Sequence, residues 1–298
     1  MQMADRASVG CDRSALVLCG GGSHGALEVG FARALYEAGL RPDMILGTSI
    51  GALNGAFLAA GTEFARLERL WREFRLRRAV RPNWRWALNP RTRPGFLDLA
   101  PLRAILRREL PVTRFEELAV PLTIVTTDLA SGEACYWQGE GDLIEPIVAS
   151  MSLPGVFPPV RLGGGLHIDG GVADNAPLGR ARRLGAQRVF MIECACATPC
   201  ARPPTGWSGV VGRAFEIALS EKHKLELERH CATAGLFRVV PRLDIAPGLF
   251  DFSAVEALIS AGYEQTKAAL SAGPGPVVCR SAPADDRSAA HAFRKGFA

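Results

Sequence analysis

The feature that most constrains this chain is the segment 46–55, which reads LGTSIGALNG. The apolar run Met44-Ile45-Leu46 leads into it and is typical of a buried strand. The small, apolar residues 51–60 that follow predict a buried helix that ends at Gly61. A serine between two glycines on a sharp strand-to-helix turn is the pattern of a nucleophile elbow. We therefore predict that Ser49 is a nucleophile in a turn formed by Gly47, Thr48, Ile50 and Gly51.

Composition and charge limit the class of protein. The chain has 298 residues, of which 48% are apolar and 22% charged, as in ordinary globular proteins. A net charge of +5 is too small to indicate nucleic-acid binding, although it is compatible with contact with an anionic membrane surface. Residues 1–13 show no export signal, and no run approaches the roughly 20 apolar residues of a spanning helix. We expect reduced cysteines and a cytoplasmic protein, peripheral at most on a membrane, of no specified oligomeric state.

Strand and helix patterns alternate along the chain. A strand is predicted at 14–19 and a helix at 26–38, so that two strands and two helices fall within about fifty residues. This order indicates parallel strands joined by right-handed crossovers. We therefore predict an α/β fold with a mostly parallel central sheet flanked by helices. We expect an N-terminal extension at 1–13, one domain at 14–270 and a disordered C-terminal tail at 271–298.

The glycine-rich loop at 20–25, GGGSHG, has two interpretations. Gly20, Gly22 and Gly25 fit the Gly-x-Gly-x-x-Gly pattern of dinucleotide-binding folds, with Asp43 about 20 residues later. The same backbone amides could instead stabilise a developing oxyanion. A dinucleotide site does not need a serine after the next strand, whereas an acyl-transfer site does.

A serine nucleophile also needs a group that accepts its proton. None of the five histidines is an obvious base. His223 and His230 are predicted on the solvated face of a charged helix, His291 in the tail, and His167 in a packing position. Asp169-Gly170-Gly171 places a carboxylate at the end of a predicted strand, although alone this pattern is more often an ordinary turn.

Taken together, these motifs resemble the patatin-like phospholipases. The resemblance rests on Gly20-Gly21-Gly22-Ser23-His24-Gly25, Gly47-Thr48-Ser49-Ile50-Gly51 and Asp169-Gly170-Gly171, in that order, with support from segments 149–160 and 175–177. It covers residues 14–270. It implies a patatin-like fold and a serine hydrolase that cleaves fatty acyl esters of phospholipids or lysophospholipids through an acyl-enzyme.

The resemblance also implies a role for each site residue. Ser49 would attack the acyl carbonyl, Asp169 would accept its proton, and the amides of Gly20, Gly21 and Gly22 would bind the oxyanion. One departure is His24, where the family commonly has an arginine. Because a histidine near its usual pKa of about 6.5 is only partly charged at neutral pH, we expect some pH sensitivity of activity through His24.

The strongly basic stretch 62–78 predicts a helix. The overlapping segment 66–86 combines many arginines with aromatic residues, notably Trp71, Trp84 and Trp86. This pattern is typical of a surface-bound amphipathic element, which predicts a transient contact with membranes. The alternative is a solvated helix with a core-facing stripe, followed by a proline-rich loop.

Cys194, Cys196 and Cys200 have no fourth ligand at convincing spacing, so we interpret them as buried thiols and expect no metal or cofactor. The function that these patterns favour is a lipid acyl hydrolase. A non-phospholipid esterase or acyltransferase, and a nucleotide-binding protein, remain as alternatives.

Overall fold

The computed structural model describes residues 13–84, 95–194, 206–231, 235–244 and 247–272. Most of the expected N-terminal extension and the expected tail beyond residue 272 lie outside these ranges, as do Trp86, Cys196 and Cys200. The predictions made for those residues therefore stay predictions.

The strand, helix, strand and helix predicted within residues 14–60 are present in that order. The strands are β1 (Ser14–Leu18), β2 (Met44–Thr48), β3 (Arg81–Pro82), β4 (Leu97–Asp98), β5 (Leu122–Asp128), β6 (Ala134–Trp137), β7 (Val160–Leu162), β8 (Gly165–Asp169), β9 (Arg188–Ile192) and β10 (Leu236–Val239). The helices are α1 (Gly25–Glu37), α2 (Ile50–Ala59), α3 (Phe64–Glu73), α4 (Leu76–Ala79), α5 (Ala100–Glu109), α6 (Ile144–Ser150), α7 (Leu178–Arg183), α8 (Gly206–Cys231) and α9 (Val255–Ser271).

The central sheet has the order β10-β9-β1-β2-β5-β8-β7, and β6 also pairs with β5. The strands from β10 to β5 are parallel, whereas β6, β7 and β8 join in antiparallel fashion at one side. Strands β1 and β2 are buried along their whole length, which explains their continuous apolar sequences. The predicted fold class, a mostly parallel sheet flanked by helices, is confirmed.

The loops that follow β1 and β2 lie at one edge of the sheet, where helices α1 and α2 begin. Helix α1 packs against α9 and α2, and α2 packs on β2. Because parallel strands end at the same edge, the glycine-rich loop after β1 and the serine turn after β2 lie side by side. None of the helices in the described ranges is both long enough and apolar enough to cross a membrane.

The helix predicted at 62–78 is interrupted. Helix α3 ends at Glu73, and Phe74 adopts an extended backbone with ψ of 132°. The Arg75 guanidinium donates to the carbonyl oxygens of Arg72 and Phe74, each at 2.8 Å, and so satisfies acceptors at the end of α3. The Phe74 ring packs on Phe252, with 4.6 Å between the ring centroids. A tertiary contact and a side-chain cap therefore override the local helical pattern.

Candidate active site

Ser49 lies on the sharp turn between β2 and α2. Its backbone has φ 54° and ψ −121°, and it is the one non-glycine residue with positive φ in the described ranges. The neighbouring glycines are required by close packing. A Cβ atom on Gly51 would lie 2.3 Å from the carbonyl oxygen of Leu18, and one on Gly47 would lie 2.4 Å from that of Gly51. The predicted elbow geometry is therefore present, with the strain that such turns carry.

The hydroxyl of Ser49 meets the carboxylate of Asp169. Ser49 Oγ donates a hydrogen bond to Asp169 Oδ2 at 2.7 Å, although 120 positions separate the two residues. The other carboxylate oxygen accepts the Gly171 amide at 2.8 Å, so the Asp-Gly-Gly turn orients the side chain. Asp169 is only 5% exposed. Burial raises the pKa of Asp169 to about 6, against the opposing effect of the hydrogen bonds from Ser49 and Gly171.

Ser150 and Thr127 hold this pair in place. The Ser49 amide donates to Ser150 Oγ at 2.7 Å, and Thr127 Oγ1 donates to the Asp169 carbonyl oxygen at 2.8 Å. Both side chains are buried. Sequence reasoning did not assign either a site role, although Ser150 lies in the segment 149–160 that supported the resemblance.

Asn175 connects the Asp-Gly-Gly turn with the glycine-rich loop. Its Oδ1 accepts the Gly20 amide at 2.9 Å, and its Nδ2 donates to the Gly20 carbonyl oxygen at 3.3 Å. The Ser23 amide donates to the Leu249 carbonyl oxygen at 2.9 Å. These contacts engage the amides of Gly20 and Ser23. The amides of Gly21 and Gly22, which line the same cavity as Ser49, take no part in them. The sequence signal for Asn175 was its position in the Asn-Ala-Pro segment that follows the aspartate.

None of the four histidines in the described ranges has a hydrogen bond with Ser49, whose side chain bonds to Asp169. His24 lies at the glycine-rich loop with Nδ1 3.3 Å from the Gly21 carbonyl oxygen, and burial lowers its pKa. Burial therefore favours the neutral ring, and any effect of its charge moves to more acidic pH. His167 is buried between Thr126 and Trp137, in the packing position that the sequence predicted.

The prediction that His223 faces solvent is wrong. Its side chain is buried, neither ring nitrogen has a hydrogen-bond partner among the described residues, and burial lowers its pKa to about 4. The positive charge of Arg238, on β10, lowers this pKa further, so His223 lies near the sheet instead of in solvent. His230 is half-buried, and His291 lies outside the described residues.

A large cavity opens beside Ser49. Its volume is about 1280 Å³, and it contains Ser49, Asp169 and the loop glycines at one side. Most of the remaining lining is apolar and comes from α2, α3, α5 and the segment 151–157, and includes Leu53, Phe57, Leu70, Leu102, Ile105 and Val156. Arg75, Arg78 and Arg108 also line it. The site therefore combines the hydrogen-bonded pair of Ser49 and Asp169 with space for a long apolar group and with charged side chains of both signs, since Glu73 and Glu109 line the cavity as well.

Asp43 does not lie where a dinucleotide site requires an acid. Its Oδ2 accepts hydrogen bonds from the Ser14 amide at 2.7 Å and from the Ser14 hydroxyl at 2.8 Å. These residues stand at the start of β1 and β2, whereas the glycine-rich loop follows the other end of β1. A ribose-binding acid belongs at the carboxyl end of the second strand, the position that Ser49 follows here.

Comparison with known proteins gives matches at the level of the family. A family model described as Patatin-like phospholipase matches residues 16–182, more than half of the chain. Patatin-like phospholipase domain-containing protein 7 of Mus musculus is 34% identical over 200 residues, which cover 60% of this chain and 13% of that protein. Lysophospholipase nte1 of Aspergillus terreus is 32% identical over 186 residues, which cover 61% of this chain and 12% of that protein.

This chain thus spans about an eighth of the length of these curated relatives. Among solved structures, VipD from Legionella pneumophila aligns over 88% of this chain and 67% of its own, with 15% identity and a TM-score of 0.47. The family match across the glycine-rich loop, the serine turn and the Asp-Gly-Gly turn leads to one conclusion: the chain belongs to the patatin-like phospholipase family.

Proposed function

We propose that the chain hydrolyses fatty acyl esters of phospholipids and lysophospholipids through a catalytic dyad of Ser49 and Asp169. The observation that carries this proposal is the 2.7 Å hydrogen bond from Ser49 Oγ to a buried carboxylate, beside an apolar cavity. Lysophospholipase is also the name of one of the fungal relatives, which supports a lipid with a single acyl chain as a substrate.

In the first step, Ser49 Oγ attacks the acyl carbonyl carbon while its proton passes to Asp169 Oδ2. An ordinary aspartate, with a pKa near 3.9, is a weak base at neutral pH. The pKa of about 6 that burial confers on Asp169 brings it closer to the value suited to proton transfer at pH 7. The Gly171 amide holds the second oxygen and keeps the carboxylate aligned as the proton moves.

The amides of Gly21 and Gly22 are the donors we propose for the tetrahedral oxyanion. The Gly20 amide is engaged by Asn175, so we assign Gly20 the role of anchoring the loop. Collapse of the intermediate expels the lipid alcohol, which takes the proton from Asp169, and leaves an acyl group on Ser49. Water then attacks this ester with Asp169 as base, which releases the fatty acid and restores Ser49.

The cavity supports an acyl chain as the group that binds next to Ser49. Its apolar lining favours a hydrocarbon, and Arg78 offers positive charge to a phosphate or a released carboxylate. Arg108 is paired with Glu109, and Arg75 caps the end of α3. The same features fit an acyltransferase, because the dyad does not define the acceptor of the acyl group. Product analysis with and without an added alcohol separates the two, since a transferase would form a new ester.

The direct test uses a fluorophosphonate probe and a lysophospholipid. We expect wild-type protein to be labelled on Ser49 and to release fatty acid, whereas Ser49→Ala and Asp169→Asn lose hydrolysis while they stay folded. Asp128→Asn is the matched control, because Asp128 ends the neighbouring strand and binds Ser131 instead of Ser49. Full activity in either dyad variant would overturn the mechanism, and NAD binding without labelling would favour the nucleotide-binding alternative.

We also propose a transient membrane contact through the cavity mouth, in a narrower form than the sequence pattern indicated. Trp71 belongs to the core, since it is 5% exposed and its Nε1 donates to Asn54 Oδ1 at 2.9 Å. Arg72 pairs with Glu68 and Glu256. Exposed side chains that support the contact are Arg69, Arg77, Arg78 and Trp84, the last of them 65% exposed.

Vesicle sedimentation tests this contact. Replacement of Arg77 and Arg78 by glutamate is expected to weaken binding to anionic vesicles, because it exchanges positive for negative charge beside the cavity. Arg188→Glu is the control, because Arg188 is exposed at the start of β9, at the opposite edge of the sheet. Equal binding by all three proteins would contradict the contact and favour the solvated-helix alternative.

A further inference from the structure

A cluster of metal-ligating side chains lies beneath the glycine-rich loop. Cys19 directly follows β1, Cys194 follows β9, and Glu28 lies in the first turns of α1. Strands β1 and β9 are parallel neighbours, so the two cysteines meet at the same edge of the sheet. All three side chains are buried, and their ligand atoms lie within 4.8 Å of one another. The sequence pattern placed Cys194 with Cys196 and Cys200 and gave no sign that it lies beside Cys19 and Glu28.

The Glu28 carboxylate lies in this cluster, and only one of its two oxygens has a hydrogen-bond partner among the described residues. Asn54 Nδ2 donates to Glu28 Oε2 at 2.9 Å, and Asn54 is itself fixed by Trp71 and the Gly25 carbonyl oxygen. Glu28 is 0% exposed, and its Oε1 has no hydrogen-bond partner among the described residues. Because a buried polar atom without a partner is costly, this oxygen is evidence for a ligand that the protein atoms do not supply.

We propose that Cys19, Glu28 and Cys194 form a binding site for a thiophilic divalent metal ion of the zinc type. Two sulfur ligands disfavour calcium and magnesium, which prefer oxygen, and match zinc, which takes cysteine and carboxylate together. A tetrahedral zinc ion with Zn–S bonds of about 2.3 Å separates its sulfur ligands by roughly 3.8 Å, within the extent of the cluster. Water occupies the fourth position, as in other zinc sites with three protein ligands.

The site has a route to solvent and a contact with the proposed oxyanion loop. Cys194 lines the cavity that opens beside Ser49, which gives an ion access. A Cβ atom on Gly21 would lie 2.9 Å from Cys194 Cβ, so the loop rests directly on this cysteine. A bound ion would join β1, β9 and α1 below Gly21. Since it binds the folded protein, zinc is expected to raise the melting temperature in a concentration-dependent manner.

Cobalt(II) is the probe that tests this site, because thiolate ligation gives a near-ultraviolet charge-transfer band that an oxygen-only site lacks. Full-length protein, stripped with a chelator and kept reduced with a phosphine, is titrated with cobalt and then with zinc. We expect a thiolate–cobalt band that saturates at one ion per chain and disappears as zinc displaces it.

Substitutions identify the residues that bind the cobalt ion. Cys19→Ser and Cys194→Ser are expected to abolish it, and Glu28→Gln, which keeps an oxygen for Asn54, is expected to weaken cobalt binding by roughly 100-fold, since even groups that only support metal ligands are worth about 10- to 100-fold. Cys135→Ser and the double variant Cys196→Ser/Cys200→Ser should retain the band. Circular dichroism verifies that each variant is folded.

Two outcomes would overturn the proposal. One is the absence of a thiolate band in folded, reduced wild-type protein, which would leave a neutral hydrogen-bonded cluster. The other is a band that survives in Cys19→Ser or Cys194→Ser, or that is lost in the Cys196→Ser/Cys200→Ser control, which would place the metal on other cysteines.

Discussion

At the scale of single residues, two features of the site are unfavourable in free energy. Ser49 has a backbone conformation that non-glycine residues rarely adopt, which costs about 1–3 kcal/mol. Asp169 is a carboxylate buried from water, with its pKa raised to about 6. Both costs serve the proposed chemistry, because the turn exposes a hydroxyl and the buried carboxylate becomes a better base.

Because it is buried, the ionised carboxylate of Asp169 is expected to lower the free energy of unfolding at neutral pH. Because its pKa rises from 3.8 to about 6 on folding, the folded protein holds this proton more tightly than the unfolded chain. The resulting stabilisation is complete below pH 3.8 and is lost as the pH rises through 6. Asp169→Asn should therefore gain about 2–3 kcal/mol more over wild type at pH 8 than at pH 4. Urea unfolding at both pH values measures this; an equal difference at both would contradict it.

The pH dependence of hydrolysis should report the same group. A base must be deprotonated to act, so kcat/KM is expected to fall as the pH drops through about 6, the pKa of Asp169. Burial lowers the pKa of His24, so its titration belongs at more acidic pH. A pH–rate profile of wild type and His24→Arg separates the two groups. An acid limb near pH 6 that vanishes in His24→Arg would assign it to His24 instead.

Asn175 is expected to act as a positioning residue through its two hydrogen bonds to Gly20. In Asn175→Ala the loop loses this anchor, and the amides of Gly21 and Gly22 are held less well. Since loss of one oxyanion donor costs about 10²-fold or more in kcat, we expect kcat to fall by roughly 10- to 100-fold with little change in KM. Asn175→Asp, which keeps an acceptor for the Gly20 amide, should lose less. Equal kcat in all three proteins would refute this role.

At the scale of secondary structure, the site depends on how closely α2 approaches β1. That approach brings the carbonyl oxygen of Leu18 to within 2.3 Å of where a Cβ on Gly51 would stand. The serine turn and the glycine-rich loop are therefore coupled through the packing of α2 against β1. A change that separates α2 from β1 should disturb both.

Gly51→Ala tests this coupling. The added methyl group must push α2 away from β1, and because both elements are buried, we expect a loss of about 1–3 kcal/mol of unfolding free energy together with a loss of activity. Gly248→Ala is the control, since a Cβ there would contact nothing within 4 Å. Urea denaturation and fatty-acid release measure the two effects. If Gly51→Ala were as stable as the Gly248 variant, the close approach would not be a constraint.

At the scale of the whole molecule, the cavity gathers residues from distant parts of the chain around Ser49. Residues of α2, α3, α5 and the segment 151–157 form its walls, and Leu249 and Phe252 contribute from near the C-terminal helix. Its volume of about 1280 Å³ is larger than a small ester would need. The cavity therefore predicts a preference for long acyl chains.

Ile105→Trp tests that preference. Ile105 is half-buried on α5 and lines the cavity, so a larger side chain is expected to reduce the space available to an acyl chain. We expect hydrolysis of long-chain esters to fall by at least about tenfold relative to short-chain esters, because one poorly accommodated group is worth about 1–3 kcal/mol. Ala104→Trp is the matched control, since Ala104 is exposed on the same helix. An unchanged ratio of the two rates would contradict the assignment of the cavity.

The parts of the fold that could be predicted are those with a strong local signal. The strands that became β1 and β2 contain uninterrupted apolar runs, and the serine turn carries its glycines in sequence. Strands β6 and β7, with four and three residues, are too short to show a period. The helix predicted at 62–78 was broken by Arg75 and by the packing of Phe74 on Phe252, which no local pattern encodes.

By itself, the sequence determined the α/β order, the serine turn, the Asp-Gly-Gly turn and the family, because each depends on residues that are neighbours along the chain. Only the tertiary structure decided that Ser49 and Asp169 share a hydrogen bond, that Asn175 occupies the Gly20 amide, and that Cys19, Glu28 and Cys194 meet. The physical reason is that these contacts join residues up to 175 positions apart. Their geometry follows from the pairing and packing of whole strands and helices, which no local pattern contains.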